Sequence, residues 1–301
     1  MSLPEHVSHS QLSSWTERCQ KAFFLQRIAR APETPAWWLL GGSAVHEVTE
    51  DLDRRALEFS LTSYEQDVRV ELEELFEENL DKQIREAQLK TEVPKEEWIA
   101  AGYRPKQDES YWRENGPQMV SNWLRWKGAR EQAGWRIHIL PDGTEAIEVK
   151  FESALMLTSY GSQLEREVRW SPDRIFFLPN GDLVVVDVKS GSTTPKTLLQ
   201  QGLYATLLEQ EYGIRPKYGT FVKVGVKAGG VHTPLAPLAK YDQRYFEQLF
   251  SAYRAQAETG TFLPTVGDMC DRCGVAQFCY AAGGTESAKW DPLNPDYKEG
   301  N

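Results

Sequence analysis

Trp170-Ser171-Pro172-Asp173-Arg174-Ile175 and, one short turn later, Val184-Val185-Val186-Asp187-Val188-Lys189 decide how this chain is read. Two carboxylates and an ammonium at the edge of an apolar run are costly, because a charge withdrawn from water needs a partner or a metal. Side chains on a strand alternate faces, so Asp187 and Lys189 project together while Val184, Val186 and Val188 project the other way. With Asp173 ending a neighbouring strand, two anions and one cation converge on one point. That is the chemistry for holding a divalent cation against a phosphodiester. A bare Asp–Lys pair also suits a salt bridge on an exposed edge, but the apolar run 183–186 argues against an edge.

Outward from this pair, Pro141-Asp142-Gly143 and Pro179-Asn180-Gly181-Asp182 read as hairpin turns. They predict an antiparallel meander with strands over 136–140, 145–152, 165–169, 174–178 and 183–189. A helix over 194–212 with Pro195 in its first turn, a strand over 218–226 and a helix over 241–259 follow. Upstream, Ser10 is the expected cap of a helix with Leu12, Trp15, Cys19, Ala22 and Phe23 on one face. A second helix is expected after Gly41-Gly42, carrying Val45, His46, Val48 and Leu52. The acidic helical stretch 63–90 reads as a solvated face, and 96–136 as a further helix whose Trp98, Trp112, Trp123 and Trp126 belong to a core. The expected fold class is α/β, a mixed central sheet flanked by helices. It forms one domain over 1–281 with a helical insertion at about 60–134, and a flexible tail over 282–301.

The 301 residues are 41% hydrophobic and include 10 Trp, 12 Tyr and 12 Phe, enough for a substantial core. The net charge of -10 argues against coating nucleic acid by bulk positive charge. It does not exclude a nuclease, since a bound metal and a local basic groove act against the overall field. Residues 1–11 are polar, unlike a signal peptide, and no apolar run approaches the roughly 20 residues of a membrane span. A soluble, cytoplasmic protein with no membrane partner is expected. Four cysteines are too few for a disulfide framework here; Cys19 stands alone while Cys270, Cys273 and Cys279 crowd together. Four thiolates suit zinc or an iron–sulfur cluster, and spacing does not choose between them.

Pro172-Asp173, with Asp187-x-Lys189 after thirteen intervening residues, resembles the signature of the PD-(D/E)XK nuclease superfamily. Three further features resemble its RecB-type branch. Gly42-x-x-x-His46 lies on a helix upstream, with Glu50 one turn on and placed to orient the imidazole. Gln200-x-x-x-Tyr204 lies on the helix after the Asp-x-Lys strand. The Ser10-Gln11-Leu12 opening, Cys19, and Cys270-x-x-Cys273-x5-Cys279 are similar to the iron–sulfur staple of AddB-type and CRISPR-associated RecB-like exonucleases. The chain departs from the pattern at Arg169-Trp170-Ser171-Pro172, where relatives often carry glycine, and at Gln20, where many carry proline.

The resemblance implies that His46, Asp173, Asp187 and the Val188 carbonyl ligate Mg2+ or Mn2+, imidazole favouring Mn2+. It implies that Lys189 orients a water or stabilises transition-state charge, and that Gln200 and Tyr204 position water or DNA. It favours a 4Fe-4S cluster over zinc at the four cysteines. The function implied is a metal-dependent DNA exonuclease acting at single-stranded ends, in recombination, repair, phage DNA metabolism or CRISPR adaptation, in a prokaryotic cell or phage-infected host. A structure-specific endonuclease and a non-catalytic DNA-end-binding subunit are the alternatives. No Gly-x-x-x-x-Gly-Lys-Ser/Thr loop occurs, so unwinding would fall to a helicase partner. The oligomeric state stays open.

Overall fold

Ser8 places the first element. In the computed structural model, which describes residues 6–58, 64–102, 106–159, 162–191 and 194–298, a short strand β1 (His6–Ser8) feeds helix α1 (His9–Glu17). The Ser8 hydroxyl accepts the Gln11 N–H at 3.4 Å, so the cap is Ser8 rather than the predicted Ser10. The helix expected to run on through Phe23 breaks at Cys19, whose backbone is extended, and resumes as α2 (Gln20–Phe23) and a π turn over Phe24–Ile28.

Three long helices follow: α3 (Trp37–Glu58), α4 (Tyr64–Gln88) and α5 (Glu109–Gln132). Helix α3 starts before Gly41-Gly42 instead of after it. The glycines are tolerated mid-helix for close packing: a Cβ on Gly41 would lie 2.0 Å from the Trp112 ring. Helix α5 starts at Asp108, whose carboxylate accepts the Tyr111 N–H, leaving 95–97 as a separate 3-10 turn rather than part of one helix from 96. At Gly116 a Cβ would lie 2.0 Å from Phe76, a fully buried ring of α4. Gly116→Ala is therefore expected to destabilise the protein by about 1–3 kcal/mol through overpacking. An unchanged urea midpoint would contradict this α4–α5 packing.

The strands are β2 (Arg136–Ile137), β3 (Phe151–Ser159), β4 (Ser162–Trp170), β5 (Arg174–Phe177) and β6 (Leu183–Lys189). Then come α6 (Leu199–Tyr212), β7 (Tyr218–Lys223), β8 (Val231–His232), β9 (Ala236–Pro237), α7 (Gln243–Thr259) and α8 (Ser287–Trp290). The predicted single meander divides into two sheets, β1-β4-β3 and β2-β5-β6-β7-β8, with β9 also on β7. The division falls at Pro172, which has no N–H to give a ladder, between β4 and β5. Within the larger sheet β6 and β7 run parallel, joined through α6, and the other pairs are antiparallel. Helix α6 starts at Leu199, later than predicted, and closes on Gly213 in the left-handed region.

Helices cover both faces of the larger sheet. Val184, Val186 and Val188 pack with Val45, Val48, Phe76 and the rings of Trp112, Trp123 and Trp126, so the tryptophans are core as expected. Val185 and Ile175 face Leu203, Leu207, Phe246 and Phe250. The near-continuous apolar run of β6 is explained by this double burial. Where a free tail from 282 is expected, the chain instead forms α8 and buries Asp291. Its carboxylate pairs with Lys21 at 3.1 Å and accepts the Tyr280 N–H at 2.9 Å. Among the described residues no helix is long and apolar enough to cross a membrane.

Candidate active site

Strands β5 and β6 pair with Arg174 opposite Val186, which sets Asp173 beside the end of β6. There the Val188 N–H donates to Asp173 Oδ2 at 2.7 Å. From the same strand Lys189 Nζ reaches Asp187 Oδ2 at 2.5 Å, and Asp187 is almost fully buried. Helix α3 brings in His46: Nε2 lies 3.1 Å from the Val188 carbonyl, and Nδ1 lies 3.6 Å from Asp173 Oδ2. His46, Asp173, Asp187, Val188 and Lys189 thus meet at one place.

Sequence reading does not single out the other residue found there. Glu148 Oε1 lies 3.0 Å from His46 Nδ1, whereas Glu50, expected to orient that imidazole, accepts two bonds from Arg54 at 3.1 and 3.2 Å. Glu148 adopts φ +46, a left-handed conformation uncommon outside glycine. Its N–H donates to the Pro172 and Asp173 carbonyls, both at 3.1 Å, which turns its carboxylate inward. A signal was present: Ala146-Ile147-Glu148 is a short apolar run closed by an acid, as at Asp187.

Burial, together with the Asp187 and Glu148 carboxylates, pushes the Asp173 carboxyl up to about 7, against the pull of His46 and Lys189. Burial works to lower the His46 pKa, but Asp173 and Glu148 outweigh it and raise the imidazole to about 9. Lys189 is raised too, its burial overcome by Asp187 and Asp173. The one partner described for the Asp187 carboxylate is the Lys189 ammonium. The pocket therefore carries an excess of negative charge that retains protons. A divalent cation answers that excess, and carboxylates, a carbonyl and an imidazole are a fitting donor set for Mg2+ or Mn2+. Among the described residues, His46, Glu148 and Asp173 are the group of three whose ligand atoms lie within 4.8 Å of one another.

Arg174 holds the cluster from behind. Fully buried, it donates to Asp53 Oδ2 at 2.6 Å and to the Asp173 carbonyl at 2.5 Å, and lies 3.6 Å from Glu148 Oε1. Its guanidinium sits over the Trp123 ring at 5.3 Å. Asp53 also accepts the Trp123 indole N–H at 3.0 Å and faces Lys127 at 3.7 Å, so α3 and α5 are both tied to the acidic strand end.

A sequence profile described as the PD-(D/E)XK nuclease superfamily matches residues 6–280. The chain belongs to this superfamily. Two curated relatives are each called Gene 69 protein, from Mycobacterium phages D29 and L5. Each is 28% identical, over 279 and 289 residues, covering 90% of this chain and 95% of the relative. A solved structure, "Crystal structure of SSO0001", aligns with a TM-score of 0.30 and 13% identity, over 58% of this chain and 79% of that one.

In this PD-(D/E)XK chain, Gln200 and Tyr204 lie one turn apart on α6, the Gln200 amide donating to the Tyr204 hydroxyl at 3.0 Å. Burial holds the Tyr204 phenol far above its ordinary pKa, with Asp173 and Asp187 adding to the rise, so it stays protonated. The four cysteines are free thiols. Cys19 sits at the α1–α2 break, where its sulfur accepts the Thr265 N–H at 3.3 Å. Cys270 opens a 3-10 turn that Cys273 closes, and Cys279 closes the next one, over Ala276–Phe278. Burial raises the Cys273 thiol, with Cys19, Cys279 and Cys270 adding to it. No three of the sulfurs come within 4.8 Å of one another, the spacing of ligands on a single ion, whereas the thiolates of a 4Fe-4S cluster, each on its own iron, stand farther apart. Four thiolates on one zinc would lie about 3.8 Å apart.

Proposed function

We propose that this chain is a Mg2+- or Mn2+-dependent deoxyribonuclease of the RecB-type branch, acting as an exonuclease on single-stranded DNA ends. The observation that carries the reading is the convergence of His46, Glu148 and Asp173 with the Val188 carbonyl, beside the Asp187–Lys189 pair. His46, Asp173, Asp187 and the Val188 carbonyl would hold the ion, with Glu148 fixing the imidazole through Nδ1. When bound, the ion polarises a phosphate oxygen and acidifies a water. Lys189 Nζ, held by Asp187, meets the charge that develops on the phosphate in the transition state. Gln200 and Tyr204 position the strand, the protonated phenol serving as a hydrogen-bond donor. A water nucleophile makes a tyrosine nucleophile unnecessary.

The same chemistry serves exonuclease, endonuclease and end-binding roles, and the substrate separates them. With Mn2+, loss of linear single strands alone supports the exonuclease; loss of circles as well makes it an endonuclease; survival of both leaves DNA-end binding. The mycobacteriophage relatives, matched over almost their full length, support a role in phage DNA metabolism within an infected cell. A helicase or recombination partner would supply unwinding.

The resemblance to iron–sulfur RecB-like nucleases extends the proposal to a 4Fe-4S cluster on Cys19, Cys270, Cys273 and Cys279. Three thiols within ten residues, and a fourth delivered by a helix break, support it. The cluster would join the first helices to the 270–279 segment and stabilise the fold. Cys273→Ala is expected to lose visible absorption and acid-labile sulfide and to melt at lower temperature than the parent. A colourless parent, or a variant that melts identically, would sink the cluster while leaving the nuclease untouched.

A further inference from the structure

Beside the catalytic cluster lies an open cleft of about 360 Å³ whose lining includes His9, Lys150, Phe151, Arg169, Trp170 and Tyr204. Its size lies at the lower end of ligand-binding clefts, roughly 300–1,000 Å³. We infer that this cleft receives a nucleobase next to the scissile phosphate, which requires the substrate strand to be unpaired there. The inference rests on the nuclease reading and names the form of DNA that the site takes.

The cleft is aromatic at its base. Phe151 and Trp170 face each other across β3 and β4 and stack with centroids 4.1 Å apart and planes 18° from parallel. The Trp170 ring tilts against Tyr204 at 5.7 Å. Trp170 and Tyr204 are nearly buried, whereas Phe151 is half-buried and lines the cleft, with one ring face on Trp170 and Tyr212 meeting the ring edge-on at 6.1 Å. Flat aromatic surface of this kind takes bases of any sequence, because every base has a π-face. A base held in a duplex stack has no free face to offer, so the partner must be single-stranded.

Continuity and charge fix the occupant. Ser171, on the cleft wall, donates to Glu148 Oε2 at 3.5 Å, and Tyr204, also lining the cleft, lies within reach of the Asp173 and Asp187 charges. A strand at the cluster therefore runs into the cleft. The rim carries exposed Lys150 and Arg169 in a chain of net charge -10. Arg169 is shared between Glu152 at 3.0 Å and Glu167 at 3.3 Å, but all three side chains are exposed, and such pairs yield readily to a phosphate. Burial, with Lys189 and Arg18 nearby, holds His9 down at about 3. Its neutral imidazole presents one donor and one acceptor to a base edge.

The test compares two short single strands of equal length, one with thymine bases and one wholly abasic, so that phosphate contacts are matched. Binding is measured with Ca2+ by fluorescence anisotropy, for the wild-type protein, Phe151→Leu and His9→Ala. The wild-type protein should bind the abasic strand about fivefold to a hundredfold more weakly, the range of one stacked base. Phe151→Leu should lose at least half of that ratio on a logarithmic scale, and His9→Ala part of it, while each binds the abasic strand as the wild type does. Equal affinity for the two strands, or the same ratio in wild type and both variants, overturns the inference. Mn2+-dependent cleavage by the same wild-type protein judges the nuclease reading separately.

Discussion

Asp187→Asn is expected to reduce Mn2+-dependent cleavage of single-stranded DNA by at least ~10³-fold while the protein folds as well as before. A charged group that organises the transition state in a water-poor site accounts for roughly 10²–10³ by itself, and loss of a metal ligand adds to that. Stability should change little. Asp187 is buried, with the Lys189 ammonium at 2.5 Å on one side and the Asp173 carboxyl close by as a second acid. Removing the anion relieves its repulsion with Asp173 but takes the partner from Lys189, so the two effects oppose and the urea midpoint should stay about level. Single-turnover rates and urea melts on the same preparations check both halves. A variant within tenfold of the wild-type rate would refute the catalytic assignment of Asp187. Lys189→Ala should fall as far in rate, because in the proposed mechanism it removes the cation that faces the reacting phosphate.

Arg174→Met is expected to cost about 3–5 kcal/mol of stability, as breaking a buried ion pair leaves a charge uncompensated. Asp53 and Arg174 are both fully buried and hydrogen-bonded at 2.6 Å, so neither can turn to water when its partner goes. Cleavage should fall as well, because Arg174 ties the Asp173 carbonyl and lies against Glu148. The double variant Asp53→Leu/Arg174→Met should cost less than the two single changes added together, since neither the Asp53 carboxylate nor the Arg174 guanidinium is then left buried without the other. Urea denaturation of the four proteins measures the coupling. Additive costs would mean that the pair does not act as a unit.

The strand pair at the centre of the site could be read from sequence because its physics is local. Apolar runs closed by Asp187-x-Lys189 and preceded by a turn define β5 and β6 with little help from the rest of the chain. His46 was legible only through the resemblance of Gly42-x-x-x-His46 to the RecB-type pattern, and its ring lies 3.1 Å from the Val188 carbonyl. What failed depends on partners distant in sequence. Gly41 and Gly42 read as a helix start, but Gly41 is there to let Trp112 approach α3. Glu50 read as the partner of His46 because the two share a helix face, but the nearby Arg54 takes it, and Glu148 arrives from 102 residues away. The division of the strands into two sheets follows from Pro172, whose missing donor matters only once the neighbouring strands are placed. For the cysteines, spacing along the chain is legible, whereas the distances between sulfurs depend on how residues 270–279 sit against Cys19.

Anomalous diffraction from crystals grown with Mn2+ tests the central claim most directly. The account predicts a strong peak about 2.1–2.3 Å from an imidazole nitrogen of His46, from oxygens of Asp173 and Asp187, and from the Val188 carbonyl. Saturating Mn2+ that leaves this pocket without a peak, or binds only away from these four residues, would contradict it.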